Sequence, residues 1–446
     1  PEGRGGHVAV IVKDKIYFMG GSRRVSDDNP IKKRFSIRGY NLSDEVFYLD
    51  LTSSFSSENP PFIDLSGNID SRIPYGSVKG TAVPGGANNG DVYLVGGTLQ
   101  NLTLLNQIDH NETITDQSLM QTELINTWNV TDRENRELNI LIYYPTSQSW
   151  LIPYTRGGPP IRRRSTSTVI NQDGMIYIFG GRAEHDTGSP DLIFFNDIYT
   201  YDTITPKWTK VNASNAPSAR SHSTATLLPN GKILYIGGAY QDRYLPLIGM
   251  KDQAKGTSIA ARVGHTATLT PDNNKIIIIG GTKSLIENTI TAHPVFIMLD
   301  ITAEPYEYSE LKGSGIQPPP LAYHTVNLYR NHLIVAFGNI TNDKSESIET
   351  NPSIYLLCLP RLEWVTTFIP DHKCPITPIP LIIGPTVAFY VVFIATTVAI
   401  IKINRQSLLD NKLMIIANCS IALIVAIIID TIIIITYPPL PFIIAI

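Results

Sequence analysis

The chain repeats one short pattern along most of its length, an apolar strand that ends in a pair of glycines. The pattern occurs as IYFMGG, VYLVGG, IYIFGG, ILYIGG and IIIIGG, with the first glycines at Gly20, Gly96, Gly180, Gly237 and Gly280. A sixth copy, LIVAFGN, keeps Gly338 and has Asn339 where we expect the second glycine. Repetition at this spacing indicates stacked units that bury their apolar faces against one another.

Each unit also has a polar position 13 to 16 residues before its first glycine, usually histidine. We assign this position to His7, Gly80, Ser165, His222, His265 and His324. A short apolar run and a polar turn lead from it to the glycine strand, which predicts two strands joined by a tight turn. Two further strands follow in a complete unit, as in IYTYDTITPKW around Trp208. The second unit carries an insertion at 98–137, and the fourth is short between Gly238 and His265.

Taken together, these residues resemble the kelch motif. The resemblance covers residues 1–372 in six units and implies an all-β fold, a six-bladed kelch β-propeller with four-stranded blades. It is similar to the fungal-type membrane-anchored kelch proteins that are labelled galactose oxidase-like. The ring would close either within blades, with residues 363–369 ending the sixth, or through residues that the sequence does not contain.

Two apolar runs near the end of the chain predict transmembrane helices. Residues 379–401 carry no charged side chain and residues 413–436 carry only Asp430, and each run is long enough to span a bilayer. We expect a linker at 373–378, a basic cytoplasmic loop at 402–412 and a short tail at 437–446. Because basic loops stay in the cytoplasm, the propeller would face the extracellular or lumenal side.

Possible modification sites agree with passage through the secretory pathway. N-x-S/T triplets, the acceptors of N-glycosylation, occur at Asn41, Asn101, Asn111, Asn129, Asn212 and Asn339. Of the three cysteines, Cys358 and Cys374 lie outside the predicted spans and form a possible disulfide, although a free buried thiol at Cys358 is an equal alternative.

Basic residues gather in the loops that we expect on one face of the ring, and they form a possible ligand-binding face. They are Arg23, Arg24, Arg162, Arg163, Arg164, Arg182, Arg220 and Arg262. The alternative is structural, since Arg163, Arg220 and Arg262 precede the repeated polar position and would bond to neighbouring backbone. The net charge of −3 does not favour nucleic acid as a partner.

Catalytic chemistry has little support in the sequence. A copper radical oxidase is one alternative, because galactose oxidase is itself a kelch propeller, but four of the nine histidines occupy the repeat. The others show no metal-ligand spacing, and no zinc motif, phosphate-binding loop or nucleophile elbow is present. We therefore predict no enzyme, cofactor, metal or catalytic residue. The expected function is a membrane-anchored module that binds an unknown protein or glycan, with a structural adhesion protein of the cell envelope as another alternative.

Overall fold

The computed structural model describes residues 1–24, 40–109, 117–130, 138–213, 216–240, 243–244, 254–284, 290–344 and 349–370. The chain divides into two compact units, Pro1–Pro375 and Ile376–Ile446. All of the second unit lies outside the described residues, as do Asn111, Cys374 and the predicted segments 373–378, 379–401, 402–412, 413–436 and 437–446. Among the described residues no helix has the length and apolarity that a bilayer crossing requires. The two membrane spans therefore stay a prediction.

The first unit is built from antiparallel sheets whose strands follow one another along the chain. Five of these sheets have four such strands each among the described residues, and the first strand is innermost. The first sheet has Val8–Val12, Lys15–Met19, Val46–Asp50 and Phe62–Asp64. The second has Thr81–Gly85, Asp91–Val95, Ile140–Tyr144 and Ser149–Leu151, and the third has Ser167–Ile170, Met175–Phe179, Ile198–Asp202 and Lys207–Val211.

The later sheets repeat this order with one exception. The fifth sheet has Thr266–Leu269, Lys275–Ile279, Phe296–Asp300 and Tyr306–Glu310, and the sixth has Thr325–Tyr329, His332–Ala336, Ile354–Cys358 and Glu363–Val365. The fourth sheet consists of Thr224–Leu227 and Ile233–Ile236 in the described part of the chain. A later segment of the same unit, Ala254–Gly256, pairs in parallel with the outer strand of the fifth sheet instead.

The second strand of each complete sheet is apolar because both of its faces are covered. In Lys275–Ile279 the four isoleucines are all buried, and every residue of His332–Ala336 is buried. Strands covered on two faces read as continuous apolar runs, whereas half-exposed strands alternate. The glycine strands therefore lie in the interior of the stacked sheets, as the sequence predicts.

The sheets form a closed ring. Each innermost strand contacts the innermost strand of the next sheet, and the last of them, Thr325–Tyr329, contacts the first, Val8–Val12. One apolar cluster spans this closing boundary and includes Phe18 of the first sheet and Leu356 of the sixth. Beyond the sixth sheet, Thr367–Phe368 pairs with Phe55–Ser56. In the described part of the chain none of the six main sheets combines strands from both sides of this boundary, whereas the short pair Thr367–Phe368 with Phe55–Ser56 does. The six sheets thus agree with the first of the two alternatives, closure within blades.

Short hairpins and two helices extend from the glycine end of the strands. The small strands at this end are Ser22–Arg24, Tyr40–Leu42, Gly76–Val78, Thr98–Gln100, Arg182–Ala183, Ile193–Phe194, Ala239–Tyr240, Arg243–Tyr244, Leu321–Ala322, Asn339–Ile340 and Glu349–Thr350. Ser314–Gly315 instead pairs in parallel with Glu363–Val365, the outer strand of the sixth sheet. The predicted insertion contains helix α1 at Leu102–Asp109 and helix α2 at Gln117–Asn126. Single turns of 3-10 helix lie at Ile69–Ser71 and His185–Thr187.

Candidate functional site

The glycine pairs adopt two distinct backbone conformations that identify equivalent positions in every sheet. The first glycine has φ between 60° and 67° and the second between 86° and 99°, as seen at Gly20, Gly21, Gly96, Gly97, Gly180, Gly181, Gly237, Gly238, Gly280 and Gly281. In the sixth sheet these values belong to Phe337 at 56° and Gly338 at 96°. Our assignment of Asn339 to the second glycine is therefore wrong by one residue, and a phenylalanine occupies the first position.

The next sheet requires the first glycine to lack a side chain. A Cβ placed on Gly280 would lie 2.0 Å from the carbonyl oxygen of Leu321, which belongs to the following sheet. The φ of 65° at Gly280 also lies in the left-handed region that disfavours side chains. These glycines are thus part of the contact between sheets. Steric exclusion of a side chain explains why glycine recurs at this position in the repeats.

A buried arginine binds the first glycine in four of the sheets. The guanidinium groups donate to glycine carbonyl oxygens in the pairs Arg4–Gly20 (3.1 Å), Arg163–Gly180 (3.2 Å), Arg220–Gly237 (3.3 Å) and Arg262–Gly280 (2.7 Å). Arg262 is fully buried and also donates to the carbonyl groups of Ala260 and Pro294. An open ligand-binding face does not fit Arg163, Arg220 and Arg262, because their charged groups are enclosed and engaged with backbone.

Arg162, Arg23 and Arg24 have different surroundings. Arg162 is buried and donates to the carbonyl oxygens of Val130 and Trp128, so it fastens the insertion. Arg23 is partly exposed and forms ion pairs with Glu45 at 2.9 Å and with Glu2 at 3.4 Å. Only the backbone of Arg24 is described, within the strand Ser22–Arg24.

Arg164 and Arg182 form a compact charged group on the third sheet. Arg164 bonds to the carboxylates of Glu184 and Asp186, and Arg182 lies 2.8 Å from Glu184. Asp186 also accepts a hydrogen bond from Thr98 at 3.1 Å. The Nη1 atom of Arg164 is buried and has no hydrogen-bond partner within the described residues, so this guanidinium retains a donor.

The polar positions that open the units also differ in register from our assignment. Six residues with φ between 55° and 66° lie two positions before the innermost strands begin: Gly6, Lys79, Ser165, His222, Gly264 and Tyr323. The repeated histidines His7, His265 and His324 stand one residue later. Strand pairing fixes this alignment, since Thr224 faces Ile236 as Val8 faces Met19. Ser165 and His222 therefore belong to the left-handed position and are not equivalents of His7.

The histidines that follow the left-handed position, His7, His265 and His324, link neighbouring sheets. Their Nε2 atoms lie within hydrogen-bond distance of threonine hydroxyls of the preceding sheet, in the pairs His7–Thr325 (2.9 Å), His265–Thr224 (3.3 Å) and His324–Thr266 (3.1 Å). Burial lowers the pKa of His265 and of His324 to about 3, and it lowers the pKa of His7 well below its usual range. These imidazoles are neutral at neutral pH and hold the ring together.

We call the six left-handed residues Gly6, Lys79, Ser165, His222, Gly264 and Tyr323 the channel mouth. Backbone hydrogen bonds of 2.7 to 3.0 Å connect them from sheet to sheet, with the amide of each residue named first: Gly6–Tyr323, Lys79–Gly6, Ser165–Lys79, His222–Ser165 and Tyr323–Gly264. Left-handed conformations in non-glycine residues cost free energy and persist where surrounding structure imposes them. Here the hydrogen bonds that join five of the six neighbouring pairs impose them.

Four polar or aromatic side chains meet at the channel mouth. Nε2 of His222 lies 2.9 Å from Oγ of Ser165, and Nδ1 lies 3.0 Å from Oγ of Ser221. The ring of Tyr323 is 5.9 Å from that of His222, and Nζ of Lys79 is 5.2 Å from the centre of the Tyr323 ring. The ring of Tyr323 also lies against the backbone of Gly264, where a Cβ would meet it at 2.9 Å.

A cavity of about 330 Å³ extends from the channel mouth between the innermost strands. Ser and Thr hydroxyls line much of its wall. Burial lowers the pKa of His222 well below its usual range, and the positive charges of Lys79, Arg182 and Arg164 lower it further. Lys79 lines the cavity and contributes a positive charge, whereas Arg164 and Arg182 lie outside the lining and are paired with Glu184 and Asp186. The site therefore suits a small polar ligand with a negative charge.

Sequence reasoning missed Lys79 and Tyr323. The available signal was positional: both stand where Gly6 and Gly264 stand in other units, and a large side chain is disfavoured in a left-handed position. Within the described residues, no group of three His, Cys, Asp or Glu side chains is placed to hold a metal ion.

The predicted modification sites have different surroundings. Asn129 and Asn212 are exposed, whereas Asn101 accepts a hydrogen bond from the amide of Leu104 at the start of α1. Oδ1 of Asn339 is buried, and the side chain of Asn41 lies outside the described part. Cys358 is buried and disulfide-bonded, but its pairing with Cys374 stays a prediction because Cys374 is not among the described residues.

Comparison with known proteins supports the repeat assignment. The family model of the KLHDC2/KLHL20/DRC7 Kelch-repeats domain matches residues 131–248. N-acetylneuraminate epimerase of Vibrio cholerae is 32% identical over 105 residues, which cover 23% of this chain and 27% of that protein. The enzyme of the same name from Shigella flexneri is 36% identical over 86 residues, which cover 19% and 21%. Acyl-CoA-binding domain-containing protein 5 of Arabidopsis thaliana is 23% identical over 226 residues, covering 48% and 33%.

The chain thus spans only about a fifth to a third of the length of these curated relatives. A solved structure entitled "Structure of YjhT" aligns with 81% of this chain and 83% of its own, at 14% identity and a TM-score of 0.38. The presence of enzymes among the sequence relatives contradicts our prediction that the chain is not an enzyme. The repeat residues and the family match agree on architecture: the chain is a kelch-repeat β-propeller protein.

Proposed function

We propose that the chain is a six-bladed kelch propeller whose channel mouth binds a small anionic carbohydrate. The observation that carries this proposal is the meeting of Lys79, Tyr323, His222 and Ser165 at the opening of a cavity of about 330 Å³. An aromatic ring offers a surface on which a sugar packs, and hydroxyl and imidazole groups exchange hydrogen bonds with sugar hydroxyls. The neighbouring cations offer a partner for a carboxylate.

The relatives give the proposal a concrete ligand class. N-acetylneuraminate, which appears in the names of the matched epimerases, is a sugar that carries a carboxylate. An anion at the mouth would lie beside Lys79, which lines the cavity, whereas Arg164 and Arg182 lie outside the lining and are paired with Glu184 and Asp186. A neutral sugar would gain the packing and the hydrogen bonds but not this electrostatic attraction.

The proposal is tested by isothermal titration of the full chain with N-acetylneuraminate and with the uncharged sugar N-acetylmannosamine. We expect the acidic sugar to bind at least about tenfold more tightly, since one favourable charge contact contributes on the order of 1.4 kcal/mol. Lys79→Gly removes the ammonium and also relieves the left-handed backbone, so it should fold and lose most of this preference. Lys255→Ala, on the outer edge of the fifth sheet, is the matched control. Equal binding of both sugars to the unaltered chain would refute the proposal.

The location of the propeller is a separate proposal. Residues 379–401 and 413–436 would anchor it in a membrane, with the channel mouth on the extracellular or lumenal side. The exposed triplets at Asn129 and Asn212 support this orientation. Treatment of the protein from a eukaryotic host with an endoglycosidase should lower its apparent mass, and Asn129→Gln with Asn212→Gln should reduce the shift. A mass that does not respond to the enzyme would argue against this side of the membrane.

A further inference from the structure

Ser165, His222 and Ser221 are arranged as a nucleophile, a base and a group that orients the base. The hydroxyl of Ser165 lies 2.9 Å from Nε2 of His222, and the hydroxyl of Ser221 lies 3.0 Å from Nδ1 of the same ring. Activated serines share this signature: the nucleophile is within hydrogen-bond reach of a base that a third group holds in place. In the tautomer that carries its proton on Nδ1, His222 donates that proton to Ser221, and the lone pair of Nε2 is directed at Ser165.

The placement of the pair is more consistent with chemistry than with packing. Ser165 and His222 have φ of 55° and 59°, and both line the cavity. Units one, five and six have a histidine one residue later, and there it binds a threonine of the neighbouring sheet. In the fourth unit Ser223 takes over that structural contact through Ser167, so His222 is not needed for it.

The charges around His222 select the substrate. Burial, followed by the positive charges of Lys79, Arg182 and Arg164, lowers the pKa of His222 and so disfavours a proton on it. A bound anion would offset these cations, so that the imidazole accepts a proton more readily when an anionic substrate is present. The same cations would stabilise a negative oxygen that develops next to Ser165.

We propose that Ser165 and His222 hydrolyse carboxylic esters of small anionic substrates; this rests on the anion binding proposed above. The oxygen of Ser165 attacks the ester carbonyl carbon, and its proton passes to Nε2 of His222. The tetrahedral intermediate collapses, the carbon–oxygen bond to the alcohol breaks, and the leaving oxygen takes the proton from His222. Water then attacks the acyl-serine with His222 as base, which releases the carboxylic acid and restores Ser165.

Two readouts on the full chain test this assignment. A fluorophosphonate probe should label Ser165, identified by peptide mass spectrometry. The anionic ester 4-nitrophenyl hemisuccinate should be cleaved at least about tenfold faster than the neutral 4-nitrophenyl butyrate, because only the former offsets the cations. Ser165→Gly, which suits the left-handed backbone, should abolish labelling and reduce cleavage at least about 100-fold, and His222→Gln should slow both to a similar degree. Ser66→Ala, a buried serine of the first sheet, should change neither.

The outcomes separate the two proposals. Tight binding of N-acetylneuraminate by a chain that neither reacts with the probe nor cleaves the anionic ester would overturn the esterase assignment and leave the binding site standing. Labelling at another serine, or equal cleavage by Ser165→Gly, would also overturn it. Absence of both binding and cleavage would overturn the esterase assignment together with the proposed function.

Discussion

Acidification should weaken the propeller through the histidines that link its sheets. His265 and His324 are buried and lie within hydrogen-bond distance of Thr224 and Thr266, respectively. Burial lowers the pKa of each histidine from 6.5 to about 3. Below pH 6.5 the unfolded chain takes up protons that the folded chain does not. Stability is therefore complete above pH 6.5 and falls as the pH drops toward 3, by up to about 1.4 kcal/mol per pH unit for each histidine.

The expected loss at pH 5 follows from these values. Each histidine would lose about 1.5 units times 1.4 kcal/mol, or about 2 kcal/mol, and the pair about 4 kcal/mol. Carboxylates with lowered pKa, such as Asp50 and Asp300, lose their contribution only below about pH 4, so they do not confound this window.

Denaturant unfolding between pH 7.5 and pH 5, followed by tryptophan fluorescence, measures the effect. The double variant His265→Gln with His324→Gln keeps an amide donor for each threonine but cannot take up a proton. Its free energy of unfolding should fall by about 4 kcal/mol less than that of the unaltered chain over this range. Parallel pH dependences in the two proteins would refute the reasoning, because the pair would then not be the source of the pH sensitivity.

Three further predictions concern the contacts between sheets. Gly280→Ala should lower stability by about 3 kcal/mol or more because its Cβ would meet the carbonyl oxygen of Leu321, whereas Gly231→Ala, with φ of 80° but open space around it, should cost only about 1 kcal/mol; thermal unfolding compares them. Phe337→Gly should be about 1 kcal/mol more stable than Phe337→Ala, since only glycine relieves the φ of 56°; chemical denaturation decides, and the reverse order would contradict the assigned conformation. Arg262→Met should cost about 3 kcal/mol, measured in the same way, by leaving buried carbonyl groups without a donor; a neutral effect would show that these bonds do not hold the glycine turn.

Local pattern was sufficient to predict the strands, their order and the glycine turns. The apolar run before Gly280 and the polar turn before Lys275 belong to one hairpin of two adjacent strands. The residues that predict this hairpin are therefore close in sequence. The helices α1 and α2 were not predicted, since the insertion that holds them was recognised only as an interruption of the repeat.

What the sequence did not reveal depends on contacts between distant residues. Ser165 and His222 were aligned by residue type, but their register is fixed by cross-strand pairing, as Thr224 with Ile236 shows. Arg163 resembles a surface cation in the sequence, but the carbonyl of Gly180 and the carboxylate of Asp197, both distant in sequence, explain why it is buried. The channel mouth was missed for the same reason, because its members come from different sheets.

The boundary between the sixth sheet and the first joins sheets that do not follow one another in the sequence, yet their innermost strands are in contact and one apolar cluster spans them. Phe337 of the sixth sheet contributes aromatic contacts to this boundary. Its ring lies 5.5 Å from that of Phe18 and 5.9 Å from that of Phe47, both in the first sheet. A glycine there would leave this boundary without its aromatic contacts. Because the strands of each four-stranded sheet follow one another in the sequence, a circular permutant could open the propeller at another boundary and join the sixth sheet to the first by a covalent linker. Such circular permutants would show whether the strained conformation of Phe337 is tolerated because its ring stabilises a boundary that no covalent connection between neighbouring sheets crosses.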